Sequence, residues 1–474
     1  MRLSQILPAD CHALDASADV TIEGLALDSR FIHPGEAFVA LSGGQVRGQD
    51  FIEMALERGA CAVLTDQPIE TELSVPVVYL PNLRMRLSAM AAEFYGHPSQ
   101  SLSVVGVTGT NGKSSVCDLL QQAYRLLGLS GAAIGTLGVY GETLWRKPGM
   151  TTADPIQVQA ELAMLRDAGV THVAMEVSSH GLHQGRVEAV QFQSAVFTNL
   201  TRDHLDYHKT FEAYAQAKQR LFSELSCQTR HFNAQTPEAM SLATPADYVF
   251  CSAQGVSVEN ARPTASGWEF EWALGEQRIA ASTSLLGQFN LDNLSAMASV
   301  LLSQGFELAD IARITPELTT VPGRMEWMSQ QPAVLVDYAH TADGLQACLS
   351  AARAHCSGQL WVVFGAGGDR DVGKRPEMGR AASEYADRLI VTSDNPRSES
   401  PEAIIQDVLA GVTANYKVQP DRVEAIHHAI QTMSEQDVLV IAGKGHETEQ
   451  VLADRVLHHD DREVARAALA EVPC

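Results

Sequence analysis

Three groups of residues in this chain have the types and spacing that chemistry on a phosphate requires. The first is Val104-Val105-Gly106-Val107-Thr108-Gly109-Thr110-Asn111-Gly112-Lys113-Ser114-Ser115. A glycine-rich turn followed by Lys-Ser offers inward backbone N–H groups, the positive end of a helix, a lysine for the outer phosphates and a hydroxyl for Mg²⁺. The strict Walker spacing wants glycine where this chain has Val107, so the loop is a variant, with glycines at Gly106 and Gly109 instead. The second group is Glu176-Val177-Ser178-Ser179-His180. The third is Thr201-Arg202-Asp203-His204-Leu205-Asp206-Tyr207-His208. A hard cation beside phosphates needs a carboxylate and a few neutral donors, which makes Glu176 and His204 candidate Mg²⁺ ligands.

The elements that must position these groups are legible around them. Residues 104–107 read as a buried strand. Val116, Leu119, Leu120, Ala123, Leu126 and Leu127 then fall at helical spacing, with Gly128 as the stop. Residues 171–177 and 194–200 are continuous apolar runs, the pattern of parallel strands covered on both faces. Ligands of such sheets bind at the carboxyl ends of the strands, so both polar clusters would lie beside the glycine loop.

A second set of buried-looking strands lies at 333–336, 360–364, 389–392 and 438–441. They end in Asp337-Tyr338-Ala339-His340, Gly365-Ala366-Gly367-Gly368-Asp369-Arg370, Asp394-Asn395-Pro396-Arg397 and Gly443-Lys444-Gly445-His446-Glu447. Four aligned polar ends predict a second ligand-binding crevice. Gly365 to Gly368 lacks GxGxxG spacing and opens no immediate helix, so a dinucleotide fingerprint is rejected. Residues 256–279 read as a β-like peripheral excursion. At the N-terminal end, short apolar runs alternate with helical stretches such as 50–58. Two polar loops, Leu27-Asp28-Ser29-Arg30 and Ser42-Gly43-Gly44-Gln45, could each hold a ligand or be turns alone. Boundary signals at 96–99 and 319–324 divide an α/β chain into domains 1–97, 98–322 and 323–474.

The bulk numbers agree with that division. A chain of 474 residues exceeds one ordinary core. A net charge of −23, from 34 basic and 57 acidic residues, disfavours nonspecific binding to nucleic acid or anionic membranes. The eight cysteines show no CxxC pair. Cys61, Cys117 and Cys251 sit in or beside apolar runs and read as buried thiols of a reducing cytoplasm. The N-terminus lacks a secretory apolar region, and no apolar run approaches the ~18 residues of a membrane span.

The order TGTNGKS, EVSSHGL, NLTRDHLDYH, LGQFNLDN, PGRME, DYAHT, GGDRDVGKRP, DNPR and GKGHE resembles the Mur ligase family along almost the whole chain. Folylpolyglutamate synthases share the TGTNGK loop, but residues 1–97 argue against that branch. A non-catalytic nucleotide-binding regulator is disfavoured by the intact loop with Glu176, His204, Lys218 and Arg397. The resemblance implies three α/β domains: a small nucleotide-sugar domain, a central P-loop domain with a parallel sheet, and a Rossmann-like C-terminal domain. It also implies ATP-dependent amide ligation in peptidoglycan precursor synthesis, by a cytoplasmic monomer without membrane insertion or nucleic-acid partner. The substrates implied are UDP-N-acetylmuramoyl-L-alanyl-D-glutamate, ATP and meso-2,6-diaminopimelate, with L-lysine as the alternative amino acid.

By the same resemblance, Gly109, Thr110, Asn111, Gly112, Lys113, Ser114, Ser115, Asn290, Arg324 and Asp337 hold ATP. Ser114, Glu176, His204 and a carbamylated Lys218 attend Mg²⁺, and Lys113, Lys218, Glu176 and His204 are the catalytic set. From the helix pattern alone Lys218 reads as a surface lysine, so its role rests on the resemblance. Leu27, Ser29, Gly44, Gln45, Val46, Thr151, Thr152, Ser178, Gln184 and Arg186 would bind the UDP-muramoyl dipeptide. That loop departs from the family, which commonly carries Asp-Gly where this chain has Arg47-Gly48. Arg370, Asp394, Asn395, Pro396, Arg397, Gly443 and Glu447 would bind diaminopimelate. The Arg397 fork can pair with a second carboxylate that lysine lacks, and Glu447 suits an ammonium.

Overall fold

The computed structural model describes residues 1–11, 15, 17–43, 47–146, 149–264 and 266–471. By internal contacts the chain forms two compact units. One comprises residues 1–255 and 296–306, the other residues 256–295 and 307–474.

The first unit contains two sheets. The smaller has four parallel strands in chain order, Gly24–Ala26, Glu36–Ala40, Ala62–Thr65 and Val77–Tyr79. Its apolar face packs with Leu83, Leu87 and Met90 of the helix Leu83–Phe94. The larger has eight strands, with Ser103–Thr108 between Phe192–Phe197 and His172–Glu176. Six strands of that sheet run parallel, and two antiparallel strands, Gly138–Tyr140 and Leu144–Arg146, close one edge. Val104, Val105 and Val107 are fully buried, as expected of a strand covered on both faces. Each such burial is worth about 1.5–3 kcal/mol relative to exposure.

The glycine loop leaves the end of Ser103–Thr108 and enters the helix Lys113–Leu126. Val116, Leu119, Leu120 and Ala123 bury its inner face, and Gly128, at φ +82°, takes the left-handed turn that ends it. The chain crosses to one side of Ser103–Thr108 after this helix and to the other side after His172–Glu176. Its carboxyl end is therefore a topological switch point, where open α/β sheets form a crevice.

The second unit holds a six-stranded sheet in the order Glu326–Gln330, Ala333–Asp337, Val438–Ala442, Leu360–Phe364, Arg388–Val391 and Tyr416–Val418. Only the first strand is antiparallel. The four expected polar clusters therefore leave the same edge of the sheet. Residues expected to be a β-like excursion form a three-stranded antiparallel sheet, Ser257–Thr264, Gly267–Leu274 and Gln277–Thr283. Of the cysteines read as buried, Cys117 is buried, but Cys61 and Cys251 are only half-buried. Each of these two lies at the end of an apolar run rather than inside it. Among the described residues no helix is long and apolar enough to cross a membrane.

Candidate active site

In the first unit the glycine loop is shaped from both sides. Gly109 (φ +151°) and Gly112 (φ +84°) take backbone conformations that side chains rarely adopt, and a Cβ on Gly109 would run into Thr198 Oγ1. The strand end after Phe192–Phe197 holds the loop in place. Asn199 Oδ1 accepts from the Asn111 N–H at 2.9 Å, and the Asn199 carbonyl accepts from the Thr110 N–H at 2.9 Å. Thr110 Oγ1 accepts from the Thr201 N–H at 2.9 Å. Lys113 Nζ donates to the Gly109 and Thr110 carbonyls, both at 2.9 Å, and so rests over the loop it serves.

Glu176 sits at the end of the neighbouring strand, almost fully buried. Its Oε1 accepts from Ser114 Oγ at 2.9 Å and from the Thr136 N–H at 3.0 Å. Gly135 makes that approach possible, because a Cβ there would overlap Glu176 Oε1. A hydroxyl and a carboxylate oxygen in contact beside a phosphate loop are a donor set suited to Mg²⁺, which takes one or two protein oxygens plus phosphate and water. Among the described residues there is no group of three or more His, Cys, Asp or Glu side chains that could hold a metal ion.

Lys218 corrects the surface reading that its helix pattern invites. On the helix Phe211–Ser223 it is only 1% exposed, and its Nζ donates to the Gly109 carbonyl at 2.7 Å. The ammonium also lies 4.8 Å from the Tyr214 ring, whose hydroxyl is 3.0 Å from Thr110 Oγ1. Burial, reinforced by the nearby Lys113 charge, holds the Lys218 pKa well below the ordinary lysine value. His204 lies at the rim. It is exposed, at φ +52°, with its ring 4.9 Å from that of His180 and 6.1 Å from that of Tyr214. Beneath it His208 is buried and bonded to Ser179 Oγ at 3.0 Å. Burial and the surrounding histidines lower the pKa of His208 to about 4.

A hydrogen-bonded path leads from this cradle to a cavity of about 600 Å³ in the same unit. Thr136 Oγ1 joins Glu176 Oε2 (3.4 Å) to Thr151 Oγ1 (2.9 Å). Thr152 Oγ1 donates to the Glu176 carbonyl and accepts from the Ser178 N–H, both at 2.9 Å. Arg186 donates to the Thr152 carbonyl at 2.6 Å and to Gln184 Oε1 at 2.8 Å. Leu27, Ser29, Gln184 and Arg186 line the cavity with Phe51, Met54 and Arg84. Gly44, Gln45 and Val46 lie outside the described residues. Thr136 and Arg84 had no signal of their own in the sequence, and Asn199 stood only as the first residue of the NLTRDHLDYH motif. Thr136 and Asn199 follow strand ends.

In the second unit, Asp337 is buried and accepts from the Met325 and Ala339 N–H groups, both at 2.8 Å. The Arg324 guanidinium stacks 4.5 Å from the Tyr338 ring centre. Asn290 is buried and donates to the Leu286 carbonyl at 2.8 Å. The Asp394–Arg397 segment meets the Gly443–Glu447 segment. Asn395 Nδ2 donates to Glu447 Oε2 at 2.9 Å, and Gly443, at φ +116°, packs so closely that a Cβ would press on Asp394 Oδ2. Arg397 takes φ +53° and donates to the Gly368 carbonyl at 2.7 Å. Its Nη1 lies 3.1 Å from where a Gly367 Cβ would stand, and Arg370 is exposed beside the same loop. Pro396 closes on Gly368, leaving no room for a side chain there.

Comparison with known proteins adds independent findings. Residues 21–95 match the model "Mur ligase family, catalytic domain", residues 107–301 "Mur ligase middle domain", and residues 323–445 "Mur ligase, glutamate ligase domain". The chain is 42% identical to a UDP-N-acetylmuramoyl-L-alanyl-D-glutamate–2,6-diaminopimelate ligase of Haemophilus influenzae, over 94% of this chain and 96% of that one. It is 44% identical to the protein of the same name from Xylella fastidiosa, over 99% and 97% of the two chains. A solved structure of a ligase of that name matches with a TM-score of 0.74 at 34% identity, covering 99% of both chains.

Proposed function

This chain belongs to the Mur ligase family, and from that premise we propose that it joins meso-2,6-diaminopimelate to UDP-N-acetylmuramoyl-L-alanyl-D-glutamate at the expense of ATP. A carboxylate oxygen of the glutamyl residue attacks the γ-phosphorus, ADP leaves, and an acyl phosphate forms. The amine of diaminopimelate then attacks the acyl carbon. Inorganic phosphate leaves and the amine proton is lost as the amide forms.

The observation that carries this reading is the residue-to-residue path from Ser114 in the glycine loop through Glu176 and Thr152 to Arg186 at the cavity, with Thr136 branching from Glu176 to Thr151. It supports a nucleotide-sugar substrate whose dipeptide end reaches the phosphate cradle. The first step needs alignment and charge neutralisation more than a covalent enzyme group. The loop N–H groups and Lys113 cradle the phosphates, with Lys113 exchanging loop carbonyls for phosphate oxygens. Mg²⁺, held by Ser114 and Glu176 with His204 at the rim, would supply further neutralisation of phosphate charge. The depressed pKa of Lys218 favours its unprotonated amine, the form that attacks carbon dioxide. The N–C bond forms, the amine nitrogen gives up one proton, and a buried neutral amine becomes a carbamate anion that would help orient Mg²⁺.

Leu27, Ser29, Thr151, Thr152, Ser178, Gln184 and Arg186 take the UDP-muramoyl dipeptide. Asn290, Arg324 and Asp337 serve the adenosine and phosphates of ATP. Arg370, Asp394, Asn395, Arg397 and Glu447 take the amino acid. L-Lysine has no second carboxylate and would leave Arg397 unpaired, a mismatch that such sites reject by ~10⁴ or more. Mass spectrometry of the product tests the reading. The expected species is the UDP-muramoyl tripeptide containing diaminopimelate. Hydrolysis of ATP with no new amide would overturn it.

A further inference from the structure

Lys444 has no place in the reaction described so far, and it is one of the largest fully buried side chains in the protein. An ammonium carries three N–H donors, and here three acceptors meet it. They are Asn395 Oδ1 at 3.0 Å, Glu447 Oε2 at 3.2 Å and the Glu449 carbonyl at 2.6 Å. Asn395 is thereby fixed in one amide orientation. Its Oδ1 faces Lys444 and the Val451 N–H (3.0 Å), and its Nδ2 faces Glu447 Oε2 (2.9 Å). Glu447 Oε2 receives two donors while Oε1 receives none among the described residues, and the side chain stays one-third exposed. The backbone under both segments is held separately. Arg422, buried and paired with Asp461, donates to the Ala442 carbonyl at 2.8 Å and to the Ser393 carbonyl at 3.5 Å.

We infer that Lys444 is a positioning residue for recognition of the added amino acid. It pins Asn395 to Glu447 and turns the unoccupied Glu447 oxygen toward an incoming ammonium. A buried cation within hydrogen-bonding distance of both segments couples their side chains, whereas the Arg422 pair couples only their backbones. This inference rests on the ligase reading.

Its test compares wild type with Lys444→Met and Lys444→Gln in phosphate-release kinetics with the UDP-muramoyl dipeptide, ATP and meso-diaminopimelate. The KM for diaminopimelate is expected to rise roughly 10- to 100-fold, the worth of a charge-assisted hydrogen bond. The KM values for ATP and the UDP substrate should stay within about twofold. Lys444→Gln, which keeps N–H donors, should recover part of the loss. An unchanged diaminopimelate KM, or equal losses for all three substrates, would overturn the inference. So would loss of the thermal unfolding transition in both variants, since the lysine would then hold the fold rather than the site. A wild-type protein with no diaminopimelate-dependent phosphate release would instead refute the ligase reading itself.

Discussion

The proposed phosphate cradle of the first unit and the proposed amino-acid segments of the second are built from different materials. In the cradle, the lysines rest on carbonyls of the loop itself, and Glu176 is held by a serine hydroxyl and a backbone amide. Its shape comes from Gly109, Gly112 and Gly135, three places where a side chain does not fit or where the backbone turns left-handed. The second unit relies on paired side-chain charge. Lys444 meets Glu447, Arg422 meets Asp461, and Arg375 meets both Glu399 and Asp407. A phosphate is the same group in every nucleotide, so backbone N–H groups suffice to hold it. Selecting one amino acid among many, the role proposed for the second unit, calls for placed charges.

Substitutions that separate these two materials sharpen the contrast. The largest effect belongs to Lys218→Ala, with a loss on the order of 10²- to 10³-fold in kcat and partial rescue by added short carboxylates. A fully active Lys218→Ala protein in a phosphate-release assay would remove Lys218 from the cradle. Next is Arg397→Ala, where KM for diaminopimelate should rise roughly 10²-fold while ADP formation from the dipeptide and ATP persists. Unchanged diaminopimelate turnover would show that specificity lies elsewhere.

Gly135→Ala tests the cradle through shape alone. Its Cβ would displace the Glu176 carboxylate, with a loss of activity on the order of 10-fold and an unaltered KM for diaminopimelate. A rise confined to the diaminopimelate KM would break the division between the two regions.

The smallest effect is on stability. His231 in the first unit is buried and bonded to Ser299 Oγ at 2.8 Å, and burial lowers its pKa to about 3. Between that value and the ordinary histidine range near pH 6.5, the unfolded chain binds a proton that the folded one refuses. Its share of stability is therefore complete above about pH 6.5 and falls as the pH drops through that window. Thermal unfolding of His231→Asn should depend less steeply on pH between 6.5 and 4 than wild type. Parallel curves would assign the acid sensitivity to other groups.

The same contrast explains what could be read in advance. Glycines, Lys113 and Ser114 stand next to one another in the chain, so the cradle was legible as a local motif. Glu176 was legible because it ends an apolar strand. Lys218 was not, since its helix carries no mark of being buried. Only the packing of that helix beneath the loop removes the lysine from water. In the second unit the four polar strand ends announced a crevice, yet their supports did not. Arg422 and Asp461 are 39 residues apart, and nothing local pairs them. Lys444 sat inside a recognised motif while its partner Asn395, 49 residues away, was visible only in the fold. Local chemistry can be read from sequence, whereas long-range charge pairing requires knowing which strands are neighbours.

The central claim is that one chain activates a carboxylate on a nucleotide-sugar dipeptide and couples it to a diacidic amino acid. It is tested most directly by phosphate release from ATP with UDP-N-acetylmuramoyl-L-alanyl-D-glutamate, comparing meso-diaminopimelate with L-lysine. Release is expected to require the UDP substrate and to favour diaminopimelate strongly. Release that ignores the UDP substrate, or that proceeds equally with L-lysine, would contradict it.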